Sequence, residues 1–208
     1  MEQSKFKIPE RKMIMYTHHI ENNQRQTIVI PVSAQDTGAQ SGKDTFACIF
    51  EQQVTAKGKK VWVTHHADLL KQMAKDIYKW DGKKNEPGRG LLQFLGTDKV
   101  RKKRPDYWVE HILGQLDVID GDIDYVVIPD SRFPNEINAY KEAGYKTINV
   151  DIQRPGYDNG LTEEQRNHPS ETALRGYPAN VVIVNDGTLD DYAAKIAVFV
   201  EQLMKGEI

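Results

Sequence analysis

Residues 124–128, DYVVI, form a nearly uninterrupted apolar run of strand length, and no other stretch restricts the fold as much. A strand apolar on both faces belongs at the centre of a parallel sheet covered by helices. Residues 26–33 (QTIVIPVS), 60–64 (KVWVT), 146–152 and 180–184 read as further strands. Helical periodicity fills the intervals, over residues 44–55, 67–80, 91–95, 105–119, 135–143 and 189–205. In the second of these Leu69, Leu70, Met73 and Ile77 share a face, and Gly144 caps the fifth. Residues 82–90, rich in Gly, Lys and Pro, read as a loop. Strands separated by helices imply right-handed βαβ units, hence an α/β protein with a parallel sheet flanked by helices in three layers.

The chain has 208 residues, enough for a sizeable core in one domain, here residues 26–208. Residues 1–25 stand apart as an extension, with residues 12–20 expected to form a strand that turns through Glu21, Asn22 and Asn23. The sequence shows neither an internal repeat nor a low-complexity segment. Charged residues make up 28% and the formal net charge is -2, so no global field recruits nucleic acid or anionic membrane. No apolar run approaches the ~20 residues that span a bilayer, and the polar start MEQSKFKIPERK does not read as a signal peptide. The single Cys48 lies among Phe46, Ala47, Ile49 and Phe50, which suggests a packed core thiol in a reducing cytosol. His18-His19 and His65-His66 invite a metal reading, but neighbours on a strand point to opposite faces, so neither pair chelates through both rings.

Residues 37–45, TGAQSGKDT, sit between the first strand and the helix after it. Backbone N–H groups in a glycine-rich turn before a helix N-terminus make a concave anion site. The usual phosphate-loop pattern has glycine where Thr37 stands and a hydroxyl where Asp44 stands. A lost glycine matters if its position needs φ > 0, and Gly38 is placed to substitute by a one-residue shift. Asp44 can bind Mg²⁺ directly or through water, and Thr45 offers a neighbouring hydroxyl.

Further along come LLQFLGTD (residues 91–98) with Arg101 after it, PDYW (105–108), PDSRFPNE (129–136), HPSET (168–172) and NDGTL (185–189). With SGKDT (41–45), this ordered set resembles the deoxynucleoside monophosphate kinase family typical of bacteriophages, a branch of the P-loop kinases. The resemblance covers residues 27–205 and departs from the family at Thr37. It implies a P-loop NTPase-like fold, ATP as phosphate donor, Mg²⁺, small-molecule nucleotide acceptors and a cytoplasmic enzyme, in the host cytoplasm if phage-encoded. Neither a membrane nor a direct nucleic-acid partner is expected, and a homodimer is compatible with the family.

The resemblance also implies roles. Gly38, Ser41, Gly42, Lys43, Asp44 and Thr45 would hold the donor phosphates, with Lys43 stabilising the transferred group. Asp130, after the apolar strand, would join Asp44 at the metal, with turn or helix capping as its structural alternative. Arg132 would complete the catalytic set, or else pair with Glu136. Asp68, Arg89, Gln93, Arg101 and Trp108 would receive the acceptor, its phosphate on the arginine forks and its base facing Gln93. The alternatives are a helix cap for Asp68 and a core anchor for Trp108. The long polar stretch 153–178 would serve as a lid, with Arg154, Arg166, His168 and Glu171 on it. SGKDT alone is shared with phosphomevalonate kinases, and Thr37 leaves open a nucleotide-binding protein without turnover.

Overall fold

The computed structural model describes residues 25–208, so the proposed hairpin of the N-terminal extension and His18-His19 lie outside the described residues. Five strands, β1 (Ile28–Ser33), β2 (Val61–Val63), β3 (Tyr125–Ile128), β4 (Val150–Gln153) and β5 (Val181–Val184), pair in the order β2-β3-β1-β4-β5. Every pairing is parallel, with Ile28 opposite Tyr125 and Val32 opposite Val150. The apolar run at 125–128 therefore lies inside the sheet, fully buried, as its composition demands.

Strand alternation divides the core in two. Ile30, Val32, Tyr125 and Val127 face a cluster with Phe46, Phe50, Ile196 and Phe199, from α1 (Lys43–Thr55) and α8 (Leu189–Lys205). Val29, Val126 and Ile128 face the other way, onto Val109, Ile112 and Leu116 of α4 (Tyr107–Ile119) and toward Tyr140 of α5 (Pro134–Glu142). Helices thus cover both faces, and the three-layer α/β architecture holds. In the first cluster, Phe46, Phe50 and Phe199 have ring centroids 5.8–5.9 Å apart, aromatic contacts worth about 0.5–1.5 kcal/mol each beyond burial.

Three expectations need correction. Cys48 is exposed, because α1 buries Phe46, Ala47, Phe50 and Val54 and turns position 48 outward. Residues 82–90 are not all loop, since α3 (Glu86–Gln93) starts inside them and continues into a π-helix, Phe94–Arg101. In α2 (Ala67–Tyr78) the expected core face is partial, with Ala74 buried and Ile77 62% exposed. Among the described residues no helix is long and apolar enough to cross a membrane.

Candidate active site

The C-terminal ends of β1 and β3, and the turn after β2, meet at one edge of the sheet, where open α/β folds bind ligands. The loop after β1 is bound to β4 at its start. Asp151, buried in β4, accepts from the Gln35 N–H at 2.9 Å and the Ser33 hydroxyl at 3.3 Å. Thr37 is tied at both ends, its hydroxyl accepting from the Arg154 N–H at 3.0 Å and its carbonyl from the Asn159 amide at 2.8 Å. Left-handed backbone falls at Gly38 (φ +68), Gln40 (φ +60) and Gly42 (φ +103), not at Thr37. The missing glycine is therefore no defect, because position 37 does not need the conformation that glycine supplies.

From Ala39 through Thr45, no backbone N–H donates to a carbonyl or side chain among the described residues. These donors end at the N-terminus of α1, so a chain of free amides meets the positive end of a helix. Lys43 reaches back across the loop to the Gly38 carbonyl at 2.7 Å and the Ser41 hydroxyl at 3.2 Å. Burial, and then the charge of Arg132, lower its pKa to about 8 against the pull of Asp44, Asp130 and Asp151. A cavity of about 330 Å³ opens beside it, lined by residues 40–45, Arg154, Asn185 and Tyr192.

Asp44 is solvent-facing, its side chain 86% exposed, and Thr45 is exposed beside it. The His65 ring lies 3.2 Å from Asp44 and 3.3 Å from Asp68, bridging the start of α1 to the start of α2. A hydrogen bond from His65 holds the Asp44 carboxyl below its usual range, and the same contact raises His65. Sequence reasoning considered His65 only as a metal ligand. Asp68 three residues on, close enough for its carboxylate to reach back to the His65 N–H and ring, was the signal for its present role.

Asp130 caps α2 from across the sheet, its two oxygens accepting from the N–H groups of His66 at 2.9 Å and Ala67 at 3.0 Å. Burial alone would raise its pKa, but hydrogen bonding and charge from His66 dominate and hold it well below the carboxylate range. Asp68 is not the N-cap of α2. It sits in the first turn, binding His65 and Lys71.

Arg132 pairs with Glu171 of the 153–178 stretch rather than with Glu136, and Glu171 also closes on the loop, where a Cβ on Gly38 would lie 2.7 Å from its carboxylate. Glu136 accepts instead from the backbone of Arg132 and Phe133, and pairs with Arg101. Arg101 sits on the Phe133 ring at 3.7 Å and bonds Asn135 at 3.0 Å. Arg89 and Gln93 lie half-buried on α3, and among the described residues neither forms an ion pair or side-chain hydrogen bond. Of the two readings of Trp108, the core anchor holds and the base-stacking candidate is corrected. It is 5% exposed, and its indole N–H donates to the Gly96 carbonyl at 3.1 Å, anchoring the π-helix.

The stretch 153–178 carries two short helices, α6 (Glu163–Arg166) and α7 (Pro169–Thr172). His168 caps α7, Arg166 pairs with Asp158, and Arg154 donates to the Gln40 carbonyl at 2.9 Å while stacking on Tyr157. Between this segment and Thr37-Gly38 lies a cavity of about 490 Å³.

The family model described as deoxynucleotide monophosphate kinase matches residues 45–196. The chain belongs to that family. Deoxynucleotide monophosphate kinases of Enterobacteria phage T4 and Escherichia phage RB69 are 34% and 36% identical to it over 110 residues. Each alignment takes in 52% of this chain and 43% or 42% of the relative, so the chain matches less than half the length of either. A solved APS kinase CysC from Mycobacterium tuberculosis covers 86% of this chain and 99% of its own, at 13% identity and a TM-score of 0.49. The family match begins at Thr45, so the loop from Thr37 to Asp44 stands on its own geometry.

Proposed function

We propose that this deoxynucleotide monophosphate kinase family member transfers the terminal phosphoryl group of ATP to a deoxynucleoside monophosphate. The observation that carries the reading is the run of unpaired amides from Ala39 to Thr45 at the start of α1, with Lys43 lying across it. Phosphoryl transfer needs positioning and charge neutralisation, and that loop offers both. Mg²⁺ would neutralise charge on the donor phosphates. Such ions take one or two protein carboxylates and complete their shell with phosphate and water. Asp44, ionised and exposed in the first turn of α1, fits that need, and Asp130 would stand behind it.

On this reading Arg132, Arg154 and Arg166 neutralise the transferred group once the lid shuts. Arg132 must then leave Glu171 or share it. The acceptor would lie along α2, α3 and the π-helix, which pack on one another and carry Asp68, Arg89, Gln93 and Arg101. ATP consumption measured with each of the four common deoxynucleoside monophosphates tests the reading, with turnover expected for at least one. ATP binding without turnover for any of them would make the chain a nucleotide-binding protein instead.

Asp130→Asn separates the two roles of that residue. With a metal role, the Mg²⁺ concentration for half-maximal rate should rise several-fold while the melting temperature falls slightly from the weakened cap. A fall in melting temperature with an unchanged Mg²⁺ titration would assign Asp130 to capping alone.

A further inference from the structure

A trans peptide points its C=O and the following N–H in opposite directions, so holding a carbonyl on one side aims the next amide at the other. The loop applies this at successive positions. The Gln40 carbonyl is held by Arg154, the Ser41 carbonyl by the Asn185 side-chain amide at 3.0 Å, and the Gly42 carbonyl by the Phe46 N–H of α1 at 2.8 Å together with the Tyr192 hydroxyl at 3.2 Å. The amides that follow, Ser41, Gly42 and Lys43, belong to the set with no intramolecular acceptor. Resting on the P-loop reading above, we propose that Asn185, with Tyr192 beside it, is a positioning residue that aims the Gly42 and Lys43 amides at the donor phosphates.

Asn185 is itself fixed, its backbone N–H donating to the Gln153 carbonyl at 2.7 Å at the end of β5. Only its amide nitrogen can face a carbonyl oxygen, because two oxygens there would repel. It also accounts for Gly42 independently of the backbone angle, since a Cβ at that position would lie 2.6 Å from the Asn185 nitrogen. Tyr192 is buried on α8, and burial pushes its hydroxyl far above the ordinary range, so it stays a donor at any working pH. The last strand and last helix thereby shape a loop more than 140 residues earlier.

Asn185 also borders the cavity beside Lys43, where it could meet a base directly. Magnesium tripolyphosphate has the phosphates of the donor and no base, so it separates the two roles. Titration of the full chain by calorimetry should show Asn185→Leu, which keeps the volume and loses the donor, weakening MgATP and magnesium tripolyphosphate alike by about tenfold, the loss of one well-placed contact. The melting temperature should stay within a few degrees of wild type. A loss confined to MgATP would make Asn185 a base contact, and no loss with either ligand would remove it from the loop's support. Both results overturn the proposal. If Asn185→Leu melts early, Tyr192→Phe deletes one hydroxyl and keeps the buried ring, with about threefold weakening expected for both ligands and equal binding to wild type overturning the proposal. A wild-type chain that binds neither ligand would refute the P-loop reading itself, a result distinct from those above.

Discussion

Lys43→Ala should lower turnover by at least ~100-fold, the scale of losing one preorganised charge contact in a catalytic site, and leave the fold intact. The lysine lies across a loop whose amides have no acceptor among the described residues, so its ammonium adds a positive charge to that run of donors. Burial and Arg132 hold its pKa near 8, below the ordinary 10.5. The sign of the linkage follows. A lysine depressed on folding is charged at the expense of stability below about pH 8, and that penalty is relieved as pH rises from about 8 to 10.5. Removing the side chain removes the penalty, so at pH 7 the variant should melt no lower than wild type. An inactive but equally stable protein is the expected pair of results. Wild-type MgATP affinity should also fall as pH climbs past about 8, because phosphate binding must then recharge the lysine, and the variant should lose that dependence. Turnover like wild type in the variant would sink the P-loop reading.

Much of this site was legible because its pieces are local. Helix α8 spans Leu189–Lys205 as its pattern predicts, since Thr188 and Asp191 form a capping box at one end and Gly206 (φ +71) closes the other. The tight turns of the loop between β1 and α1 were legible from its glycines, since Gly38 and Gly42 take left-handed backbone. What failed was non-local or depended on close approach. Residues 82–90 read as loop from their glycines and proline, yet Asn85 caps α3 and Pro87 falls in its first turn, where no N–H is required. Gly88 is there because a Cβ would lie 2.0 Å from the Lys83 carbonyl, a contact that no periodicity reveals. The partner of Arg132 proved to be Glu171 rather than Glu136, four residues away. Sequence distance favours the near carboxylate, but the strand end aims Arg132 at Glu171 and leaves Glu136 to Arg101. Cys48 shows the same limit, since which face of a helix is inward depends on what packs there.

Arg101→Ala should lower the melting temperature more than any other substitution considered, because Arg101 is the ion-pair partner of a buried carboxylate. Glu136 has a side chain only 5% exposed, with one oxygen on the backbone of Arg132 and Phe133 and the other on Arg101. Breaking such a pair from one side leaves an uncompensated charge and typically costs about 3–5 kcal/mol. At about 2–4 °C per kcal/mol for a domain of this size, the fall should be roughly 6–20 °C. The family resemblance asks something else of the same arginine, a grip on the acceptor phosphate worth about tenfold or more in the Michaelis constant for the monophosphate, with the constant for ATP little changed. One second substitution separates the two. Adding Glu136→Gln to Arg101→Ala neutralises the stranded carboxylate and should restore most of the lost stability. If the monophosphate constant recovers along with the melting temperature, Arg101 acts only through its pair. If it stays about tenfold high in the restabilised protein, the arginine exchanges Glu136 for the acceptor phosphate during turnover. An unchanged melting temperature in Arg101→Ala alone would show that the pair contributes nothing, and would leave the phosphate as its sole purpose.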